Sequence, residues 1–172
     1  MLSSLKQRGA STMTRFWQRQ KGSGSLTDSM LYDQSTFYGA FLKDIVACKQ
    51  ELIIESPFIT TRRTSVLLPV FEKLRRRGVR IIINTRNPNE HDGIYQQQAA
   101  DAIHAMQALD IVVLYTSGHH RKLAIIDRQA VWEGSLNILS FSDSCEIMRK
   151  IVSEPVAAQL IKFITIDRYI KE

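Results

Sequence analysis

Short apolar runs alternate with amphipathic segments through much of the chain, and this alternation limits the fold more than any other feature. The runs are rich in Ile, Leu and Val and predict strands over 51–55, 79–84 and 110–115. The other segments repeat apolar residues every three or four positions and predict helices over 33–48, 64–77 and 92–108. Apolar strands separated by helices are typical of an α/β sheet that is covered on both faces.

The pattern changes after residue 115. Two further strands, over 121–126 and 130–134, lie too close together for a crossover helix. They therefore predict an antiparallel hairpin that turns near Arg128 and Gln129. A last helix is predicted over 153–170. The expected fold class is α/β, with a mixed β-sheet flanked by helices on both faces.

Length and composition indicate one globular domain. The chain has 172 residues, of which 44% are hydrophobic and 23% charged, and this balance excludes wholesale disorder. Two cysteines are too few for a disulfide framework and fit a reducing compartment. No apolar run approaches the ~18 residues of a spanning helix, and the first residues lack a secretory signal. We therefore expect a cytoplasmic protein with no membrane partner.

The basic excess is concentrated near the start of the chain. Residues 1–28 hold five of the 23 lysines and arginines but one of the 17 acidic residues, in a chain of net charge +6. Residues 21–25, Lys-Gly-Ser-Gly-Ser, predict a flexible linker. We divide the chain into a basic tail and linker, 1–28, and a globular domain, 29–172. The tail is either an arm that contacts nucleic acid or a membrane surface, or a solvated segment without a partner.

The densest polar chemistry lies in the predicted hairpin. His120 and Lys122 share one face of the first strand because side chains alternate along a strand. Asp127 has the opposite parity, so we expect it to anchor the hairpin. Ser135 and Asn137 can both donate hydrogen bonds near the end of the second strand. An imidazole, an ammonium, a hydroxyl and an amide together suit a tetrahedral anion.

Two features around this cluster complete the expectation. A glycine at position 134 would let a ligand approach the backbone. The adjacent residues His119 and His120 point to opposite faces of an extended strand, so they cannot readily ligate one ion. We therefore expect no metal and no cofactor.

The same residues match the signature of the phospholipase D superfamily, His-x-Lys-x4-Asp-x6-Gly-Ser-x-Asn. Every fixed position is present with both spacers at the right length, at His120, Lys122, Asp127, Gly134, Ser135 and Asn137. The chain also resembles the family at Glu146 and in the strand-to-loop segment 55–59, and the resemblance covers roughly 30–170. The family's usual Asn after that glutamate is replaced by Ile147.

This resemblance implies a phospholipase D-like fold and a metal-independent phosphodiester transfer. His120 would attack phosphorus and form a phosphohistidine, and Glu146 would orient it. Lys122, Ser135 and Asn137 would hold the phosphoryl oxygens. The scheme needs a second histidine, which protonates the leaving oxygen and then activates water.

One copy of the signature is present, since none of His91, His104 and His119 is followed by Lys two positions on. Family members with one motif per chain pair two chains across a two-fold axis. The resemblance therefore implies a homodimer in which both copies of His120 face one phosphate.

Several arginines are candidate contacts for a phosphate backbone, although clusters at helix ends are also common on solvated surfaces. They are Arg62, Arg63, Arg75, Arg76, Arg77, Arg80 and Arg121.

The function expected first is a nuclease, a phosphodiesterase whose partner is DNA or RNA. One alternative is a phospholipid-acting hydrolase or transferase. The other is a non-cleaving nucleic-acid-binding module that works with other domains of a larger helicase or restriction assembly.

Overall fold

The computed structural model describes residues 29–140 and 144–169. The predicted basic tail and linker, 1–28, lie outside the described residues. Within the described part, seven strands form one sheet, with short 3₁₀ turns at Pro88–Glu90 and Ile166–Arg168. In chain order the strands are β1 (Ser29–Asp33), β2 (Glu51–Glu55), β3 (Arg80–Thr85), β4 (Val112–Tyr115), β5 (Leu123–Ile126), β6 (Ala130–Gly134) and β7 (Ile147–Val152).

The sheet is mixed, and its spatial order is β1-β7-β6-β5-β2-β3-β4. The pairs β2–β3 and β3–β4 are parallel, as expected for strands joined by helices. The remaining pairs are antiparallel, including the predicted β5–β6 hairpin. This hairpin turns at Asp127 and Arg128, which both have positive φ, and is closed by the N–H of Gln129 donating to the carbonyl of Ile126.

Helices cover both faces of the sheet, which confirms the predicted fold class. The helices are α1 (Phe37–Ala47), α2 (Thr61–Arg76), α3 (Gly93–Gln107) and α4 (Glu154–Ile164). The first three pack on one face, and their buried residues join alternate strand residues such as Ile54 and Ala124. The other face buries Ile53, Ile125 and Val131 against α4. No helix among residues 29–140 and 144–169 is long and apolar enough to span a membrane.

The sequence pattern missed both strands at one end of the sheet. β1 is almost entirely exposed, and β7 carries Arg149 and Lys150 in its centre. Neither strand shows the apolar run that marks a strand covered on both faces. The last helix is also shorter than predicted, since α4 ends at Ile164 and Thr165 adopts a left-handed φ of 56°.

Gly134 is needed for a structural reason in addition to the one expected. The sequence suggests that a glycine here admits a ligand, and the structure also places the backbone of β7 close to it. A Cβ at this position would lie 2.1 Å from the carbonyl oxygen of Ile147 and 2.9 Å from the Cα of Met148. The absence of a side chain therefore lets β6 and β7 pair closely where β6 ends.

We expect Gly134→Ala to destabilise the fold by about 2–3 kcal/mol, because the added methyl group collides with backbone that cannot move independently. Gly39→Ala is the matched control. Gly39 lies inside α1, and a Cβ there has nothing within 4 Å. This control should gain up to about 1 kcal/mol from reduced backbone entropy. Urea denaturation of both variants measures the two changes, and equal stability of Gly134→Ala and the parent would contradict the steric argument.

Candidate active site

The signature residues meet at one end of the strands, on the side of the sheet where β2, β3, β4 and β6 reach their C-terminal ends. His120 and Lys122 lie in the extended segment that leads into β5, and Lys122 continues the pairing because its carbonyl accepts from the N–H of Gly134 at 3.2 Å. Ser135 and Asn137 follow β6, and Glu146 directly precedes β7. One open cavity of about 450 Å³ is lined by His120, Lys122, Gly134, Ser135, Asn137 and Glu146.

Lys122 is bonded to the histidine of the same motif. Its Nζ lies 2.9 Å from His120 Nδ1 and 2.8 Å from the His120 carbonyl oxygen. An ammonium group only donates hydrogen bonds, so Nδ1 must accept, and a neutral ring then carries its proton on Nε2. In this arrangement Nε2 carries the hydrogen, and the ring can give up that proton only if Nδ1 takes one from Lys122 at the same time. Attack by Nε2 requires the proton on Nδ1 and therefore the release of Lys122.

The charge on Lys122 is set by its surroundings. Partial burial lowers the pKa of its ammonium, Arg86 lowers the pKa further, and the carboxylate of Glu146 opposes both effects. Arg86 follows β3 at the same edge of the sheet, and its Nε donates to the His119 carbonyl at 2.8 Å. The sequence analysis missed Arg86. Its position directly after a predicted parallel strand was the available signal, because ligands bind at such strand ends.

Glu146 contacts serines at the rim of the cavity. The hydroxyls of Ser135 and Ser144 both donate to its carboxylate, and these hydrogen bonds lower the pKa of Glu146. No hydrogen bond among the described residues joins Glu146 to His120. Within one chain Glu146 fixes the Ser135 hydroxyl, which also accepts from the N–H of Ile147 at 3.1 Å, and its role in orienting a histidine stays a prediction.

Asn137 brings an amide to the same cavity, and its Oδ1 is buried without a hydrogen-bond partner in the described part of the chain. The loop that carries Asn137 is tied to the end of β2, because Ser56 Oγ accepts from the N–H of Leu139 at 3.1 Å. The segment 55–59 thus lies beside the site and supports the loop that holds the amide.

Asp127 lies at the other end of β5 from His120. Its carboxylate accepts from the backbone N–H groups of Lys49, Gln50 and Glu51 at 2.7–3.2 Å. Burial raises the pKa of Asp127, but these hydrogen bonds outweigh burial, and the net shift is downward. The contacts join the hairpin turn to the start of β2, and Asp127 does not reach the cavity.

Most of the candidate arginines are not brought to the site. Arg63 is buried, with its guanidinium 3.7 Å from the centre of the Tyr38 ring. Four others lie at the opposite end of the strands, where α2 ends and β3 begins. They are Arg75, Arg76, Arg77 and Arg80. Each binds this chain, through Asp110, Glu72, the Cys48 carbonyl and Glu51 respectively.

Two candidate arginines lie at the site edge. Arg62 is exposed in the first turn of α2. Arg121 points away from the His120 cavity and pairs with Glu55, whose side chain is fully buried. His119 is buried too, its Nε2 has no hydrogen-bond partner among the described residues, and burial lowers its pKa.

The described residues contain no group of three or more His, Cys, Asp and Glu side chains that could hold a metal ion.

Comparison with protein families finds a match over residues 41–167 to the family described as "Cardiolipin synthase, PLD-like domain". No curated protein sequence matches the chain significantly.

Solved structures share the fold at low sequence identity. The phospholipase D family member Nuc from Salmonella typhimurium is 17% identical, with a TM-score of 0.65 over 83% of this chain and 95% of that one. NucT from Helicobacter pylori is 16% identical, with a TM-score of 0.59 over 80% of this chain and 93% of its own. The archaeal chromatin protein TrmBL2 is 11% identical, with a TM-score of 0.58, and the match covers 87% of this chain and 54% of that chain.

We expect Asp127→Asn to lower the free energy of unfolding by about 1–2 kcal/mol at neutral pH, because an amide cannot accept from all of these donors and the site is partly exposed. The folded-state pKa of Asp127 lies below its usual value. Its contribution is therefore present above that value and lost as the pH falls below about 4. Urea denaturation over a pH series should show the parent and variant converging in acid. A difference that persists at low pH would contradict this account.

Proposed function

The chain belongs to the phospholipase D-like family, and from this premise we propose that it is a nuclease that hydrolyses nucleic-acid phosphodiester bonds through a phosphohistidine. The observation that carries the proposal is the convergence of His120, Lys122, Ser135, Asn137 and Glu146 on one open cavity. This set combines a nucleophile with cationic and neutral donors for a tetrahedral phosphoryl group.

The proposed first step forms a bond between His120 Nε2 and phosphorus and breaks the bond to the leaving oxygen. Lys122 moves from Nδ1 to a phosphoryl oxygen, which frees the ring to hold its proton on Nδ1. The Asn137 amide donates to the remaining oxygens, and the Ser135 hydroxyl joins it once its hydrogen turns from Glu146 to the phosphoryl group. A water molecule then attacks phosphorus, gives its proton to the histidine that protonated the leaving oxygen, and releases His120, so the net reaction is hydrolysis.

The leaving oxygen needs a proton, and the cavity contains one histidine. Among the described residues, His91 and His119 are buried, and His104 lies exposed on α3. None of the three lines the cavity. We therefore assign the proton donor to His120 of the partner subunit in a two-fold homodimer.

Nucleic acid is the substrate that charge favours. Arg86 and Lys122 bring two cations to the site edge, whereas most of the chain's net charge of +6 comes from residues 1–28. A structural neighbour is described as a chromatin protein that binds DNA. The cytoplasm remains the predicted location.

A phospholipid-acting enzyme is the second candidate, because the matching family carries the description of a cardiolipin synthase. A non-cleaving DNA-binding module is the third candidate, because the chain shares its fold with a chromatin protein.

Cleavage assays separate these candidates. The parent, His120→Ala and His104→Ala are incubated with plasmid, single-stranded DNA, RNA, phospholipid vesicles and a bis-aryl phosphate in excess EDTA. We expect the parent and His104→Ala to cleave nucleic acid and the aryl ester, and His120→Ala to lose at least about a thousandfold, as removal of a nucleophile does. Hydrolysis of phospholipid alone would support the lipid enzyme. Binding without cleavage would support the module, and loss of activity in EDTA would contradict the metal-independent mechanism.

Subunit mixing tests the shared site. Parent and His120→Ala chains are refolded together in equal amounts, and specific activity is measured. If each site needs two copies of His120, about one quarter of the dimers retain activity. Independent sites would retain about one half, and a monomer in sedimentation under assay conditions would contradict the dimer.

A further inference from the structure

A second cavity, of about 310 Å³, opens on the α4 side of the same sheet edge. Asn84, at the end of β3, and Thr116, just after β4, contribute to its floor, and Arg121 closes it on the side of the active site. Phe163 and Tyr169 stand at its rim, where α4 ends. This volume is at the low end for small-molecule pockets and suits one flat ring system rather than a folded partner.

The polar side chains on the floor of this cavity are hydrogen-bonded to other groups of the chain. Asn84 Nδ2 donates to the carboxylate of Glu55 at 2.9 Å, and Thr116 Oγ1 donates to Asn84 Oδ1 at 3.0 Å. Arg121 neutralises the buried Glu55 and keeps 37% of its own side chain exposed. The cavity therefore places a guanidinium and an amide–hydroxyl pair next to the apolar side chains of Leu114, Ile164 and Ile166.

The rim carries aromatic surface that the fold does not use. Phe163 is 73% exposed and Tyr169 is 64% exposed, whereas their neighbours Ile164 and Ile166 are buried against the sheet. Exposed aromatic faces above a polar floor match a nucleobase, which is flat and carries its polar atoms on its edge. Stacking of bases on such side chains is the usual way in which proteins hold unpaired strands.

A third cavity shares lining residues with both this cavity and the active site. Arg121 also lines a neighbouring cavity of about 530 Å³, and that cavity shares Lys122 and Gly134 with the one around His120. Successive side chains of the extended segment 120–122 point to opposite sides. A nucleic-acid strand that places a phosphate at His120 and runs past Arg121 would bring an adjacent base to the second cavity.

We propose that this cavity, with Phe163 and Tyr169 at its rim, binds an unpaired base next to the phosphate that is cleaved. The proposal rests on the proposed nuclease function and specifies its substrate as single-stranded nucleic acid. A base held in a duplex is stacked and paired, and it can enter only at the cost of leaving the helix.

The test compares two substitutions at one exposed position. Phe163→Leu keeps apolar bulk but removes the aromatic face, whereas Phe163→Trp keeps the face. Both are measured on a single-stranded oligonucleotide and on a bis-aryl phosphate, and the two kcat/KM values are expressed as a ratio. We expect Phe163→Leu to lower this ratio about tenfold, mainly through KM, and Phe163→Trp to retain it.

Binding gives a readout that does not depend on turnover. His120→Ala is titrated with an oligonucleotide that carries 2-aminopurine, whose fluorescence falls when it stacks on an aromatic ring. We expect quenching with His120→Ala and much less with His120→Ala/Phe163→Leu.

The outcomes separate the two proposals. Cleavage of the oligonucleotide with an unchanged ratio and unchanged quenching in Phe163→Leu would overturn the base site and leave the nuclease intact. Cleavage of neither DNA nor RNA by the parent would overturn the nuclease and, with it, the base site as a substrate site. Equal function of the Leu and Trp variants on phospholipid vesicles would overturn the base site in favour of an acyl-chain site, which needs apolar bulk alone.

Discussion

The carboxylate of Asp127 is the contact on which the geometry of the site depends. It accepts from three consecutive backbone N–H groups at the start of β2 and thereby joins the turn of the β5–β6 hairpin to the parallel half of the sheet. The antiparallel pairing of β5 with β2 then runs from this end to Leu123 beside Glu55. Because side chains alternate along a strand, a slip of one residue would exchange the faces of His120 and Arg121. An interaction at one end of the sheet thus determines which side chain faces the His120 cavity at the other end.

Much of the fold could be predicted from the sequence because three strands, β2, β3 and β5, are buried on both faces. The apolar runs of β2 and β3 and the helical spacing of α1, α2 and α3 are local signals that survive in the structure. β1 and β7 give no such signal, since their exposed and charged residues suit the end of the sheet. Their pairing, in which Asp33 lies opposite Ile147, is known only from the structure.

The candidate site shows the same division between local and long-range information. The spacing of the signature was sufficient to group His120, Lys122, Ser135 and Asn137. Parity excluded Asp127 from this group, whereas in the structure it is remote because it lies in the turn at the other end of β5. The contacts of Glu146 depend on loops that meet only after folding, and no spacing in the sequence encodes them. Arg86 did have a sequence signal, its position directly after β3, but that signal gives no partner or charge effect. The arginine cluster around 75–80 was misleading for the opposite reason. Its residues are neighbours in sequence, but their partners lie at the far edge of the sheet.

The hydrogen bond from Lys122 to Nδ1 of His120 has a consequence for the symmetry of the reaction. In the proposed dimer, both histidines begin in the same proton-donating state, so neither subunit is committed to attack. A phosphate that draws one Lys122 onto its oxygens changes only the nearer ring, and the more distant ring keeps the state that a leaving group needs. The two copies of His120 thereby take different roles when the substrate binds. The side from which the substrate binds determines which copy is the nucleophile.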